Sequence, residues 1–163
     1  LLDPGSWRAY DGAGYTVRFV SPYTMAAGTE SEHVCVVSDL PAPGCAALGM
    51  VWSAYLQKFV VTLECGNAMG GKFSFATSDD MQHWSTPTPF YGPADLPPAV
   101  KENVTSMHYP TFMDPTAPKA FNDSNFFTIG QTPYLYWVSI GHSPYTDGRS
   151  LWATKMHFEE GRV

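Results

Sequence analysis

The densest group of reactive side chains lies in residues 75–84, FATSDDMQHW, where two adjacent carboxylates, a histidine and a tryptophan follow one another closely. Carboxylates and imidazoles at this spacing can transfer protons or hold a metal ion. Ser and Asp side chains also build turns, because they accept hydrogen bonds from neighbouring backbone N–H groups. Which of the two applies depends on the elements that flank the segment.

Sequence motifs of several enzyme classes are missing. The chain contains no G-x-S-x-G nucleophile elbow, no HExxH zinc motif, no P-loop and no Rossmann fingerprint. Serine hydrolases, metalloproteases and nucleotide-dependent enzymes therefore lose their main sequence support.

The composition indicates a folded, acidic domain. Of 163 residues, 44% are hydrophobic and only 15% are charged, with a net charge of −6. There is no basic cluster and no apolar run of about 18–20 residues, so neither nucleic acid nor a membrane is an expected partner. Aromatic residues favour strands and can also stack against a sugar. The compartment is not fixed by the sequence, and we favour the extracellular or periplasmic space.

Three cysteines, Cys35, Cys45 and Cys65, show no CxxC spacing, which argues against a zinc site. They allow at most one disulfide. A Cys35–Cys45 bridge would close a short loop, but an odd count is untypical of a disulfide framework. We therefore expect three reduced, buried thiols, with the Cys35–Cys45 bridge as the alternative.

Short β-type runs separated by Gly, Pro, Asn and Asp recur along the chain, and helical periodicity is hard to find. The pattern predicts an all-β fold with a helical turn only at Ser78–His83. The predicted strands are Tyr15–Val20, Gly49–Ser53, Phe59–Glu64, Lys72–Thr77, Tyr109–Met113, Tyr134–Ile140 and Leu151–Phe158.

An internal repeat narrows the architecture. Residues 50–78 and 109–156 both follow the order strand, turn or loop, strand, loop, strand. Units that cannot bury both of their faces alone are typical of consecutive β-propeller blades. Seven strands would also build a self-contained β-sandwich with a structural role, which is one alternative.

Several strings resemble those of a known family. They are YLQKFVV at 55–61, FATSDDMQHWSTP at 75–87, YPTFMDP at 109–115, Asn125-Phe126 and YLYW at 134–137. They are similar to the blade signatures of five-bladed β-propeller glycosidases, the arabinanase/β-xylosidase and invertase/levansucrase group and their relatives, over most of residues 48–158. The S-x-D-x-x-x-W turn is shared with sialidase-like propellers, and none of the strings is a catalytic signature.

The resemblance implies that the chain is the C-terminal portion of a larger propeller. Residues 1–24 would be the outer strand of a preceding blade and a linker, residues 48–92 a blade, and residues 106–159 the closing blade. The expected partners are the remainder of the parent propeller and a carbohydrate.

The resemblance also implies two carboxyl groups that flank a glycosidic bond, about 5–9.5 Å apart. Asp114 and Glu64 are the catalytic candidates, because each ends or follows an apolar strand. Their alternatives are a turn cap for Asp114 and a solvated strand end for Glu64.

Six further residues are candidates for substrate binding, either as stacking rings or as polar contacts. These are Trp52, Tyr109, His108, Glu32, His33 and Arg149. Each also has an ordinary alternative: aromatic rings pack between blades, lone histidines satisfy local hydrogen bonds, and Arg149 pairs with Asp147 at the surface.

The sequence thus predicts a glycoside hydrolase-like propeller that acts on or binds carbohydrate, incomplete as a catalyst because the family's base carboxylate lies on the first blade. A non-catalytic carbohydrate-binding propeller is the alternative. FATSDDMQHW is predicted to be the turn toward an outermost strand, shaped by Ser78 or Asp79. We expect no cofactor and no metal ligands, with calcium left open as an alternative.

Overall fold

The structure is a computed structural model that describes residues 4–21, 23–33, 42–66, 72–102, 104–117, 127–141 and 148–159. The predicted all-β class is confirmed, since ten strands are accompanied only by short helical turns in the described residues. The chain divides into two compact units, residues 1–40 and 41–163, and each is described by itself.

The first unit contains an antiparallel hairpin of β1, Arg8–Tyr10, and β2, Tyr15–Arg18. The Asp11 side chain shapes its turn, because it accepts hydrogen bonds from the Thr16 hydroxyl and from the backbone N–H groups of Ala13 and Gly14. These bonds, that of Thr16 first, lower the pKa of Asp11.

A five-stranded sheet begins the second unit. It comprises β3 (Cys45–Ser53), β4 (Lys58–Cys65), β5 (Lys72–Ser78) and β6 (Thr88–Tyr91) as an antiparallel meander, with β8 (Thr128–Ile129) added in parallel to β3. The sheet curls into a half-barrel. β6 and β8 were not among the predicted strands, because β6 contains a proline and β8 is only two residues long.

A three-stranded antiparallel sheet completes the second unit. It contains β7 (Ser106–Met113), β9 (Tyr134–Ile140) and β10 (Arg149–Lys155), in the order β10-β9-β7. Between β6 and β7 lie a short 3-10 turn, Pro93–Asp95, and a four-residue helix, α1, Pro98–Lys101. Residues 79–83 form bends, so the helical turn predicted at Ser78–His83 is wrong.

The core of the second unit is aromatic and lies around Trp137, which is 1% exposed. Its ring lies 6.4 Å from that of Phe73 and 6.2 Å from that of Tyr91, and it stacks on Trp152 at 5.7 Å. The indole N–H donates to Thr154 Oγ1 over 3.3 Å. A large ring with its polar atom satisfied can be buried without an unpaired donor.

Two bulges lie where β3 and β4 meet β7. In β3 the pairing with β4 shifts between Ala47 and Gly49, which leaves Leu48 as the extra residue. In β7 the pairing with β9 shifts between His108 and Thr111. The Tyr109 backbone within this second bulge has a φ of 57°, in the left-handed region that a bulky residue rarely adopts.

A disulfide joins Cys45 and Cys65, which face each other across the β3–β4 pair with their Cα atoms 4.0 Å apart. The expectation of three reduced thiols is therefore wrong, and so is the alternative Cys35–Cys45 pairing. The strand register brings together two residues 20 positions apart, which sequence spacing alone does not indicate. Cys35 itself lies outside the described residues.

The disulfide is expected to stabilise the β3–β4 hairpin by limiting the entropy of the unfolded chain. Replacing Cys45 and Cys65 together by serine should lower the free energy of unfolding by about 3 kcal/mol in urea titrations. Dithiothreitol should lower the stability of the wild-type chain but leave that of the double variant unchanged. A double variant as stable as the wild type would contradict the bridge.

Gly49 is expected to be required for the contact between β3 and β7. A methyl group at this position would lie 2.7 Å from Thr111 Oγ1 and 2.9 Å from Thr62 Oγ1. Gly49→Ala should therefore cost about 1–3 kcal/mol of unfolding free energy. The neighbouring Leu48 is exposed, and Leu48→Ala serves as the control, with a change within about 0.5 kcal/mol. Equal effects of the two substitutions would refute the close contact.

Candidate functional site

Three side chains from two sheets form a continuous hydrogen-bonded chain. Nδ1 of His108 lies 2.7 Å from Oε1 of Glu64, and Nε2 of the same ring lies 2.9 Å from Oγ of Ser106. Glu64 comes from the end of β4, whereas His108 and Ser106 come from the start of β7. The side chains of Glu64 and His108 are 18% and 12% exposed. We call these three residues the Glu64–His108–Ser106 relay.

The order of the relay fixes the imidazole tautomer. An ionised carboxylate can only accept hydrogen bonds, so Nδ1 of a neutral His108 must carry the proton and donate to Glu64. Nε2 then has a free lone pair and accepts the hydroxyl proton of Ser106. In this neutral tautomer, the accepting nitrogen of the ring is directed at a hydroxyl group.

The β7 bulge provides a further donor to the carboxylate. The backbone N–H of Tyr109 donates to Oε2 of Glu64 over 3.1 Å, so both carboxylate oxygens of Glu64 are engaged by β7. The left-handed φ of Tyr109 accompanies this turn of its N–H toward β4. Its phenol ring is left 54% exposed, at 5.7 Å from the His108 ring.

Strand alternation puts Ser106 and His108 on one face of β7. Residues directly opposite each other on antiparallel strands share a face, and Ser106 pairs with Ile140, which in turn pairs with Arg149. Two strand spacings separate the Cα atoms of Ser106 and Arg149 by about 10 Å. Arg149 is exposed at this position of the sheet, so its positive charge lies on the same face of the three-stranded sheet as Ser106 and His108.

Asp114, the other catalytic candidate, lies just after β7 and organises a turn. Its Oδ1 accepts from the N–H and the hydroxyl of Thr116, at 3.0 and 2.8 Å, and its Oδ2 accepts from the N–H of Gly130 at 2.9 Å. Burial raises the pKa of Asp114, but these hydrogen bonds outweigh it, so the pKa is lowered overall. Such a carboxyl is held ionised and is a poor proton donor.

The two predicted catalytic carboxylates lie at opposite ends of β7. Glu64 contacts the strand at Tyr109, and Asp114 follows five residues later, about 15 Å along an extended chain. Different groups engage the two carboxylates, β7 at Glu64 and the following turn at Asp114, so they share no hydrogen-bonded site. The structure therefore brings Glu64, His108, Tyr109 and Arg149 to one end of the second unit but not Asp114.

The candidate Trp52 also lies away from the relay. It occupies the end of β3 opposite to Cys45 and packs edge-on against Phe59, with 5.0 Å between the ring centroids. Trp137, the central ring of the core, is likewise not available for stacking against a ligand.

Glu32 and His33 belong to the first unit. Glu32 is exposed in the 3-10 turn Glu30–Glu32, and His33 Nδ1 lies 3.3 Å from the carbonyl oxygen of Arg18. Asp147, the proposed partner of Arg149, and the Asn125-Phe126 string lie outside the described residues.

The polar side chains of the FATSDDMQHW segment make hydrogen bonds within their own turn. Ser78 Oγ accepts from the N–H groups of Asp80 and Met81, and Asp80 Oδ1 accepts from those of Gln82 and His83. The hydrogen bonds from the His83 N–H, the His83 ring and the Gln82 N–H lower the pKa of Asp80. Ser78 therefore shapes the turn, as predicted.

Asp79, the other residue predicted to shape this turn, instead contacts Lys58 of β4. Its carboxylate lies 2.7 Å from the Lys58 ammonium, in an exposed ion pair. Exposed pairs of this kind contribute little stability.

Ser106 is the site residue that sequence reasoning missed. A signal was present, because serine and histidine two positions apart on a strand share a face. The glutamate that completes the relay, however, lies 44 residues from the histidine.

An apolar cavity of about 300 Å³ lies elsewhere in the second unit. It is lined mainly by Leu56, Phe75, Phe90, Phe112, Met156 and Phe158. None of the relay residues lines it.

Within the described residues, no group of three or more His, Cys, Asp and Glu side chains is arranged to hold a metal ion. The alternative of a calcium ion stays a prediction. None of the described helices has the length and apolar character needed to cross a bilayer.

Asp114 is expected to contribute to stability in its ionised form. Asp114→Asn should lower the free energy of unfolding by about 1.5–3 kcal/mol at neutral pH, because the carboxylate accepts three hydrogen bonds and the amide has only one uncharged acceptor oxygen. A lowered folded-state pKa gives stability that is complete above the unfolded pKa, near 3.8, and is lost as the pH falls through the folded value. Urea titrations of both proteins between pH 7 and pH 2 should show the difference shrinking below pH about 4. A difference that stays constant to pH 2 would contradict this.

Comparison with known proteins yields no match to a family model, to a curated protein or to a solved structure.

Proposed function

We propose that the chain is part of a glycoside hydrolase-like β-propeller and that it contacts carbohydrate at the exposed end of the Glu64–His108–Ser106 relay. The observation that carries the proposal is the combination of a fixed carboxylate–imidazole pair, 2.7 Å apart, with the exposed ring of Tyr109 beside it.

The ligand class follows from the chemistry of this surface. A sugar presents alternating C–H patches and hydroxyl groups, and an exposed phenol ring offers an apolar face with a polar edge. Carboxylate and imidazole groups accept and donate hydrogen bonds, and Arg149 adds donors on the same face of the sheet. A few convergent polar groups next to an aromatic ring are typical of small-ligand sites.

The architecture is supported by the repeated connectivity of the second unit. β3 to β6 form a four-stranded antiparallel meander, which is the strand arrangement of a propeller blade. β7, β9 and β10 repeat the first three strands of that order. The remainder of the parent propeller would supply the further blades, and a β-sandwich is the competing architecture.

Catalysis, where it occurs, would need a second carboxylate from the remainder of the propeller. Asp114 is held by the hydrogen bonds of its own turn, so we do not assign it as the partner of Glu64. We assign Glu64 as the carboxylate of this chain that lies nearest the bound sugar. A non-catalytic carbohydrate-binding propeller uses the same surface without the second carboxylate, and turnover of aryl glycosides by the parent protein separates the two.

The Cys45–Cys65 disulfide supports a compartment outside the cytosol. Disulfides persist mainly in oxidising surroundings, such as the extracellular space and the periplasm. Glycan-degrading proteins that meet polymeric substrates need such a location, because polymers do not cross a bilayer unaided.

Carbohydrate binding is expected to depend on Tyr109. Isothermal titration of the chain with a panel of pentose and hexose oligosaccharides should identify at least one ligand. Tyr109→Ala should weaken its binding about tenfold, the value of one aromatic stacking contact. Glu64→Gln should weaken it further, because the amide changes the hydrogen-bonding pattern at Oε1 and Oε2.

Tyr134→Ala is the matched control. Tyr134 is an exposed tyrosine on the same sheet, but it lies at the opposite end of β9, in register with Met113. Its replacement should leave the affinity unchanged. The absence of binding to every saccharide, or equal losses for both tyrosine variants, would refute the proposed site.

A further inference from the structure

We propose that Ser106 is a nucleophile, activated by His108 and Glu64, that transfers small acyl groups from esters to water. This activity differs from glycoside hydrolysis and does not depend on the carbohydrate proposal. It stands on the order and the distances of the relay: hydroxyl to imidazole 2.9 Å and imidazole to carboxylate 2.7 Å.

The relay has the three parts that an activated serine requires. A hydroxyl nucleophile must lie within hydrogen-bond reach of a base, and a third group must orient that base. Ser106 Oγ, His108 Nε2 and Glu64 Oε1 meet these conditions in that order. The Tyr109 N–H, which donates to the second oxygen of Glu64, holds the orienting carboxylate in place.

The missing G-x-S-x-G motif does not exclude this chemistry. That motif sets the nucleophile on a strand-to-helix turn of one particular fold, whereas the serine, histidine and acid arrangement recurs on unrelated folds in different chain orders. In this chain the nucleophile and the base come from one strand, two positions apart, and the acid comes from the neighbouring sheet.

The reaction proceeds in two steps, acylation of Ser106 and hydrolysis of the acyl group. In the first, Ser106 Oγ bonds to the ester carbonyl carbon, its proton moves to His108 Nε2, and the ester C–O bond breaks as the leaving alcohol oxygen takes that proton. In the second, water attacks the acyl carbon and gives a proton to Nε2. The bond from the acyl carbon to Oγ then breaks, Oγ recovers the proton, and a carboxylic acid is released.

Burial limits the size of the acyl group. Ser106 is 7% exposed, and the neighbouring His108 side chain is 12% exposed. A nucleophile this recessed accommodates a small group such as acetyl better than a long acyl chain.

The test uses the intact, disulfide-bonded chain with two small probes. Methanesulfonyl fluoride, a serine reagent that transfers a group close to acetyl in size, is incubated with the chain, and the adduct is mapped by peptide mass spectrometry. The hydrolysis of 4-nitrophenyl acetate is followed by absorbance. We expect a single adduct at Ser106, together with ester hydrolysis that stops when the adduct forms.

Substitutions separate a nucleophile from a structural hydroxyl. Ser106→Ala should abolish labelling and hydrolysis. His108→Ala should slow both by about 10²–10⁴-fold, and added imidazole should restore part of the rate, which no structural role explains. Glu64→Gln should slow them by up to about 10⁴-fold. Ser150→Ala, at an exposed serine on β10, is the control and should leave both rates unchanged.

Two results would overturn the proposal. One is the absence of a Ser106 adduct in the wild-type chain while its unfolding transition shows that it is folded. The other is Ser106 labelling at a rate that His108→Ala does not change. Because neither measurement involves a saccharide, failure here leaves the carbohydrate proposal standing, and loss of saccharide binding leaves this one standing.

Discussion

The arrangement of the second unit depends on the hydrogen bonds that the Glu64 carboxylate accepts from β7. It leaves the end of β4, crosses to the other sheet and accepts hydrogen bonds from the His108 ring and the Tyr109 backbone. A largely buried charge is tolerated only when its oxygens are paired. The two sheets are therefore held in one register at this end, since a shift of β7 would leave the carboxylate without its donors.

Three features of the backbone make this contact available. The β7 bulge turns the Tyr109 N–H away from the hydrogen bonds between β7 and β9. The next residue, Pro110, has no N–H, so the bulge leaves no backbone donor unpaired at that position. Gly49 allows Thr111 to approach β3 closely. The disulfide fixes Cys65, the neighbour of Glu64, to β3. The unusual backbone conformation of Tyr109 and the disulfide at Cys65 thus both position the Glu64 side chain. Backbone strain that the surroundings hold in place is typical of functional sites.

The sequence predicted what depends on local composition and missed what depends on tertiary register. The predicted strand Tyr134–Ile140 agrees with β9, because it is a run of aromatic and aliphatic residues with high strand propensity. Glu64 and His108 were each identified as candidates, but 44 residues separate them, and only the packing of β4 against β7 shows that they touch. The Cys45–Cys65 pairing was missed for the same reason. Asp114 was chosen by its position after a strand, which does not distinguish a proton donor from a turn cap.

The two proposals place two chemistries at one small surface. Tyr109 is exposed and its ring lies 5.7 Å from that of His108, whereas Ser106 is buried and bonded to the opposite nitrogen from Glu64. A saccharide held against the ring would bring its hydroxyl substituents toward the imidazole edge without displacing Ser106. An acyl group carried on such a hydroxyl would then approach Oγ with the sugar as its leaving alcohol. The two proposals share His108 and Glu64 but use different atoms, so one surface can hold the sugar while the recessed hydroxyl reacts.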